Sequence, residues 1–219
     1  MATQIAGIDV PTSIIAIAAA AQLQSVAPTF IVSHSKRCFF FSALLAKHRG
    51  VEINLDLLYV AAMYHAVGLV DAYRDSTARY EIDGADAARD LLDKFEVSKE
   101  DIDLVWDAIA LHTTPGIPPR KASLIELTSA GIDADLLGSY LYEISKPTVT
   151  RVLVEFPREK DFSFLYLEYL GAGQYRRAAT TFGTVNADVV ERFDEKYRRL
   201  NYCGKVLGSL WESGLMDID

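Results

Sequence analysis

Three histidines are the residues of this sequence best suited to do chemistry. His34, His65 and His112 each lie at the boundary of a strongly apolar helical segment, His34 at a start and the other two at ends. One histidine in such surroundings is usually a hydrogen-bonded core residue, but three of them on three helices fit a shared polar site better. Metal ligation is the commonest reason to gather neutral imidazoles in a core. The fourth, His48, lies between two basic residues and is expected to be solvated.

A carboxylate would complete such a site, and the segment SAGIDADLLG offers two. Asp135 precedes Leu-Leu-Gly on a predicted helix with an apolar face, so we expect its side chain to join the histidines. Asp133 is better placed as the N-cap of that helix. Arg37 lies about one helical turn after His34 and points either into the same site or to the surface.

Other residues near the histidines are candidates for contacts with a substrate. Thr113 and Thr114 directly follow the third of these histidines and either bind substrate or end their helix. Glu81 can supply polarity to a pocket, and Phe40 belongs to a set of apolar residues that fits a greasy pocket or a plain core equally well. Cys38 lies in an apolar segment without a paired base in sequence, so we expect no nucleophilic role for it.

Helical patterns dominate the elements that must position these residues. The segments HSKRCFFFSALLAKHRG, LDLLYVAAMYHAV and SKEDIDLVWDAIALHTTPG have strong apolar faces, and basic residues, Gly or Pro mark where the first and third of them end. Ser98 and Asp101 form a capping-box pattern, Asp83 is a further cap candidate, and a turn at Gly131 should separate two helices.

The whole chain is predicted to form one all-α domain. No alternating strand pattern of useful length and no Asn-Gly or Asp-Gly hairpin signal is present. We expect a helical bundle around a central metal-type site, with a core at about 8–160 and additional helices at 161–219. The apolar, aromatic C-terminal third provides either an interface for a homo-oligomer or an outer helix layer.

The amino-acid composition limits the classes of partner that the protein is expected to bind. Lys and Arg together number 22 against 30 Asp and Glu, so the net charge is −8. This charge argues against binding to a nucleic-acid backbone or an anionic membrane surface. The two cysteines are far apart and fit neither a disulfide framework nor a zinc ribbon. No targeting signal is visible, so a cytoplasmic protein acting on a small molecule is the default expectation.

In these features the chain resembles the HD-domain metallohydrolase superfamily, and in particular its branch that includes the fungal cyanamide hydratases. The matching segments are HSKRCFFFSALL, LLYVAAMYHAVGL, RYEIDGADAARDLL, VWDAIALHTTPGI and AGIDADLLG, in the family's order over about residues 8–160. The resemblance implies five or more core helices around one metal. Its ligands would be His34, the pair formed by His65 and residue 66, and Asp135, with His112 lining the pocket.

The sequence departs from this pattern at one ligand, because Ala66 stands where the family has an aspartate. His34, His65 and Asp135 still form a two-histidine, one-carboxylate set that can hold zinc, or alternatively iron, with open positions. Losing an inner ligand should weaken binding at least as much as losing an outer-shell partner, which costs about 10–100-fold. The substitution is either engineered or a natural variant with altered chemistry, and the metal is either retained or lost.

Three functions remain open. The first is a cyanamide hydratase-like hydratase or hydrolase, in which metal-activated water adds to a small substrate and His112 positions substrate or moves a proton. The second is a metal-free isomerase, lyase or cyclase on an apolar metabolite, with His112 and Asp135 as acid and base and Arg37 nearby. The third is a binding protein that has kept the pocket and lost the chemistry. Phosphate-ester hydrolysis ranks lower, because the central helices offer few cations beyond Arg37.

Overall fold

The structure, a computed structural model, describes residues 4–209 and is almost entirely helical, which confirms the all-α prediction. The only strands in that range are β1 (Gln4–Ile5) and β2 (Ile8–Asp9), a short antiparallel pair. The helices are α1 (Ile14–Val26), α2 (Thr29–Arg49), α3 (Leu55–Tyr64), α4 (Tyr80–Asp93), α5 (Lys99–Leu111), α6 (Ser123–Leu137), α7 (Lys146–Glu155), α8 (Phe162–Gln174), α9 (Asn186–Phe193) and α10 (Tyr202–Leu207).

Local sequence explains where many of these helices begin and end. The side chains of Ser13, Asn54 and Ser98 accept hydrogen bonds from backbone N–H groups in the first turns of α1, α3 and α5. For Ser98 this confirms the predicted cap. Gly50 and Gly138 adopt the left-handed conformation that ends α2 and α6, where their lack of a Cβ removes the steric penalty.

One predicted turn is wrong, because α6 runs without interruption through Gly131. This glycine is used for close packing against α2: a Cβ built there would lie 2.0 Å from Ser42 Oγ and 2.5 Å from the Cys38 carbonyl oxygen. The prediction that Asp133 caps a second helix is wrong for the same reason, because Asp133 lies inside α6. The close approach of the two helices brings the face of α6 that carries Asp135 against α2.

Asp83 is also not a helix cap. The helix α4 begins at Tyr80, after Arg79, so Asp83 lies in its first turn. Its carboxylate accepts a hydrogen bond of 2.8 Å from the hydroxyl of Ser76 and forms an ion pair with Arg177. Asp83 therefore ties the start of α4 to the segment that follows α8.

The core is built around α3, whose residues 57–64 are all buried, as the all-round apolar pattern predicts. Helices α1, α2 and α5 pack against it, and α6 packs on α2 and α5. Helix α8 adds an outer layer, because its residues Phe162, Tyr166 and Leu170 are buried in the same hydrophobic cluster. Within the described range no helix has the length and apolar character needed to cross a membrane.

Candidate functional site

His34 lies at the centre of the site, in the second turn of α2 and with no exposed surface. Its Nδ1 atom is 2.6 Å from Oδ2 of Asp135, and its Nε2 atom is 3.2 Å from Nε2 of His65. Burial lowers the pKa of His34, and the hydrogen bond to Asp135 opposes that effect only in part. The structure therefore brings together three of the residues that the sequence singles out.

His65 and His112 are held by the same local device. Each is the C-cap residue of its helix, α3 or α5, as predicted, and each Nδ1 lies within hydrogen-bond distance of the carbonyl oxygen three residues earlier. These distances are 2.7 Å to Ala62 and 2.6 Å to Ile109. A carbonyl oxygen only accepts hydrogen bonds, so Nδ1 carries the hydrogen in both rings. In the neutral form of each ring, Nε2 therefore carries no hydrogen and has a free lone pair.

The lone pair of His112 has a donor, because the hydroxyl of Tyr80 lies 3.1 Å from its Nε2. The lone pair of His65 instead faces His34. Burial raises the pKa of Asp135, but hydrogen bonds from His34 and Arg37 outweigh this and lower it to about 2, so the carboxylate is an acceptor. His34 then donates from Nδ1 to Asp135, so its Nε2 also carries no hydrogen and has only the weak donor of the Cys38 thiol 3.7 Å away. Two lone pairs 3.2 Å apart repel each other unless a cation, either a proton or a metal ion, lies between them.

Cys38 completes a possible metal-ligand set one turn after His34. Ligand atoms of His34, Cys38 and His65 all lie within 4.8 Å of one another, and all three residues are buried. Burial raises the pKa of the Cys38 thiol well above its usual value, so a bound cation would be needed to hold it as a thiolate. Imidazole and thiolate are donors that suit zinc. The i, i+4 spacing of His and Cys in HSKRC is the sequence signal that could have identified this ligand.

Asp135 is held by Arg37 as well as by His34. The guanidinium of Arg37 donates from Nε to Oδ1 at 2.6 Å and from Nη2 to Oδ2 at 2.9 Å. It also donates from Nη1 to the carbonyl oxygen of Pro157 at 2.8 Å, and it has no exposed surface. Both carboxylate oxygens are thus engaged, and Asp135 serves as the partner that orients His34.

This arrangement differs from the predicted ligand set of His34, His65 and Asp135. The group of ligand atoms close enough to share one ion contains Cys38 in place of Asp135. Of the two alternatives for Arg37, the structure shows the buried one, beside the site. Ala66, buried directly after His65, offers no donor atom.

Glu81 is buried next to this group but is fully engaged. Its carboxylate accepts hydrogen bonds from Arg79 at 2.9 Å, from Asn186 at 2.8 Å and from the hydroxyl of Thr113. Burial raises the pKa of Glu81, but these hydrogen bonds and the nearby His112 outweigh it and lower the pKa. Glu81 is therefore an ionised anchor that fixes Thr113 and Asn186.

A cavity of about 980 Å³ opens beside His112. Tyr80, His112, Thr113, Thr114 and Asn186 contribute polar groups to its wall, and Leu136, Leu167, Leu170 and Val189 are among its apolar lining residues. His34 and His65 lie behind His112 and do not line the cavity. Two of the predicted substrate contacts, Thr113 and Thr114, do line it, whereas Glu81 and Phe40 do not.

Phe40 is placed elsewhere by its packing. It lies on α2 and stacks on Phe156, with ring centroids 5.4 Å apart. The sequence prediction chose Phe40 for its apolar surroundings and missed three residues that line the cavity: Tyr80, Tyr166 and Asn186. Tyr80 directly precedes Glu81 and was within reach of that reasoning, whereas no local pattern marks Tyr166 or Asn186 as part of a site.

Comparison with known families identifies the domain. The family model described as HD domain matches residues 31–152, which is more than half of the chain. The chain belongs to the HD-domain family. No curated relative matches it. The HD-domain match contains the three buried histidines, Cys38, Asp135 and Ala66, whereas Tyr166 and Asn186 lie beyond it.

The residues present fit a divalent metal ion of the kind that HD domains bind. The fit rests on the buried ligand atoms of His34, Cys38 and His65 and on the two facing Nε2 atoms. Each of the two imidazoles donates its other N–H to a carboxylate or a backbone carbonyl, which is the usual arrangement around metal-ligating histidines. Membership of the family and this cluster together support hydrolase-type chemistry with a metal ion.

Proposed function

We propose that this protein is a metal-dependent hydratase or hydrolase of the HD type that acts on a small organic molecule. The observation that carries the proposal is the pair of Nε2 atoms of His34 and His65, 3.2 Å apart and both without hydrogen when the rings are neutral. A metal ion held by His34, His65 and Cys38 would remove the repulsion between these lone pairs. Zinc is the first candidate because of the thiol, and iron is the second.

The bound ion would supply Lewis-acid activation of water or of a polar substrate group. Asp135 and Arg37 keep the ring of His34 in the orientation that directs Nε2 towards His65. His112 lines the cavity and has its Nδ1–H fixed by Ile109, so it can only exchange a proton through Nε2. The hydroxyl of Tyr80 lies 3.1 Å from that atom, so the pair can take up or release a proton at the wall of the cavity.

The cyanamide hydratase-like activity is the finer form of this proposal, in which water adds across a small unsaturated substrate. Its support is the resemblance of the segments around His34, His65, His112 and Asp135. The substrate contacts proposed for it are Thr113 and Thr114.

Metal analysis of the purified, metal-reconstituted protein tests the proposal. We expect about one zinc or iron per chain, and we expect Cys38→Ser to lower this content at limiting metal. Cys203→Ser is the matched control, because Cys203 is exposed and far from the site in sequence. Cobalt substitution adds a direct readout: a thiolate-to-cobalt absorption band should be present in the parent protein and in Cys203→Ser, and absent in Cys38→Ser. No metal after reconstitution would contradict the proposal.

A metal-free enzyme is the second candidate, and two observations favour it. The guanidinium of Arg37 forms an ion pair with Asp135 beside the site, and its positive charge disfavours the binding of a further cation there. Ala66 removes a carboxylate that would balance that charge. In this alternative His112, which lines the cavity, acts as acid or base in an isomerase, lyase or cyclase reaction on an apolar metabolite, and Asp135 keeps the ring of His34 in place. Turnover that survives removal of all metal would support it, and saturable ligand binding without turnover would indicate a binding protein.

A further inference from the structure

The cavity beside His112 is much larger than the substrate that the cyanamide hydratase-like proposal requires. Its volume of about 980 Å³ lies at the upper end of the range of about 300–1,000 Å³ that is typical of sites for drug-sized ligands. A cyanamide molecule would occupy only a small part of it.

The wall of the cavity is mostly apolar, although its lining residues also include the charged side chains of Arg49, Glu126, Asp133, Glu143 and Asp188. Leu136 and Leu137 from α6, Leu167 and Leu170 from α8, and Val189 from α9 form apolar surface around it. Tyr80 and His112 lie on the wall that leads to the buried histidines. The part of the wall that α6 contributes lies within the HD-domain match, whereas α8 and α9 lie beyond it.

Asn186 supplies an unused hydrogen-bond acceptor in the same cavity. Its Nδ2 donates to the Glu81 carboxylate at 2.8 Å, and this contact fixes which end of the amide is the oxygen, because a carboxylate only accepts. Among residues 4–209, the Oδ1 atom has no hydrogen-bond partner although the residue is only 1% exposed. A buried acceptor of this kind costs free energy unless a ligand or an ordered water satisfies it, and in a cavity a bound substrate can take that role.

From these observations we infer that the substrate is a largely apolar metabolite of drug-like size that carries an N–H or O–H donor for Asn186 Oδ1. The apolar body lies against α6, α8 and α9, and the reacting end lies beside Tyr80 and His112. The inference rests on the proposed function, because it names the substrate class of the same site.

Fluorescence titration of the full-length protein with N-phenyl-1-naphthylamine tests the inference. This probe has an apolar body and one N–H, and its N-methyl derivative carries a methyl group in place of that hydrogen and so cannot donate. We expect saturable binding of both probes. Val189→Trp and Leu167→Trp should each weaken binding about tenfold or more by filling the cavity, because both half-buried side chains line it. Val154→Trp is the matched control, because Val154 is 70% exposed and does not line the cavity, and it should leave both affinities unchanged.

The contact with Asn186 has its own readout. Asn186→Leu should weaken binding of the N–H probe by about 3- to 10-fold, which is the usual worth of one hydrogen bond. The N-methyl probe should bind Asn186→Leu and the parent protein equally well, which also shows that the variant is folded. Equal loss for both probes, or no loss for either, would overturn the assigned contact.

The remaining outcomes separate this inference from the proposed function. No saturable binding of either probe to a metal-loaded protein would overturn the substrate class alone, as would binding that Val189→Trp and Leu167→Trp leave unchanged. Probe binding that follows the expected pattern in a protein without metal after reconstitution would support the substrate class and contradict the metal-dependent function.

Discussion

The buried ion pair between Arg37 and Asp135 allows a sharp test of how the site is held together. Both side chains are essentially unexposed, at 0% and 1%, and two hydrogen bonds of 2.6 and 2.9 Å join them. Arg37→Met keeps much of the side-chain volume but leaves the carboxylate without its guanidinium. Removing one partner of a buried pair costs about 3–5 kcal/mol of unfolding free energy, because a charge remains buried and uncompensated. For a chain of this size that corresponds to a loss of about 6–20 °C in Tm.

The same helix provides a matched control. Arg49 also forms a two-point contact with a carboxylate, that of Glu143, at 2.9 and 3.0 Å, and it donates once more to the partly exposed Glu126 at 3.0 Å. The side chains of this second pair are 23% and 14% exposed, so water screens their charges. Arg49→Met should therefore cost about 1 kcal/mol or less. The two variants remove the same chemical group from one helix and differ mainly in burial.

Urea unfolding of both variants, followed by circular dichroism, measures the difference. The double variant Arg37→Met with Asp135→Leu should recover part of the lost stability, because it also removes the orphaned carboxylate. Equal losses in Arg37→Met and Arg49→Met would refute the reasoning. A double variant less stable than Arg37→Met would also refute it, since Asp135 would then stabilise the fold through other contacts, such as that with His34.

Three further predictions address the rest of the molecule. Asp133 has a pKa raised to about 6 by burial. Its ionisation therefore destabilises the fold as pH rises from 4 to 6. Asp133→Asn should raise the free energy of unfolding, measured with urea, by roughly 1–2 kcal/mol at pH 7.5, a range that allows for the partial solvation of Asp133. Near pH 4 the same substitution should change it by almost nothing. Gly131→Ala should cost several kcal/mol of unfolding free energy, because its Cβ would meet the backbone of α2. Gly204→Ala on the exposed α10 is the control and should be nearly neutral. An unchanged Tm in Gly131→Ala would contradict the close packing. Ala66→Asp should raise metal affinity by about 10–100-fold in competition with a chelator, and unchanged affinity would show that position 66 does not face the ion.

The sequence predicted the helical fold well because helix formation depends on neighbouring residues. Apolar side chains repeat with the helical period in α2, α3 and α5, and capping residues such as Ser98 mark an end. The same local reading was wrong at Gly131, where glycine serves interhelical packing and not a turn. A single sequence shows the glycine but not the helix that approaches it.

The sequence by itself determined which groups the site can contain: three histidines at apolar helix boundaries, a carboxylate at Asp135, and Ala66 where the HD family has an aspartate. Only the tertiary structure decided how they are used. Arg37 reaches Asp135 across 98 positions of sequence, and Asn186 reaches Glu81 across 105. Such contacts depend on how helices pack and which way each ring is turned, and neither is encoded in the spacing of neighbouring residues. The roles of Cys38 beside His34 and of the cavity beside His112 follow from that packing.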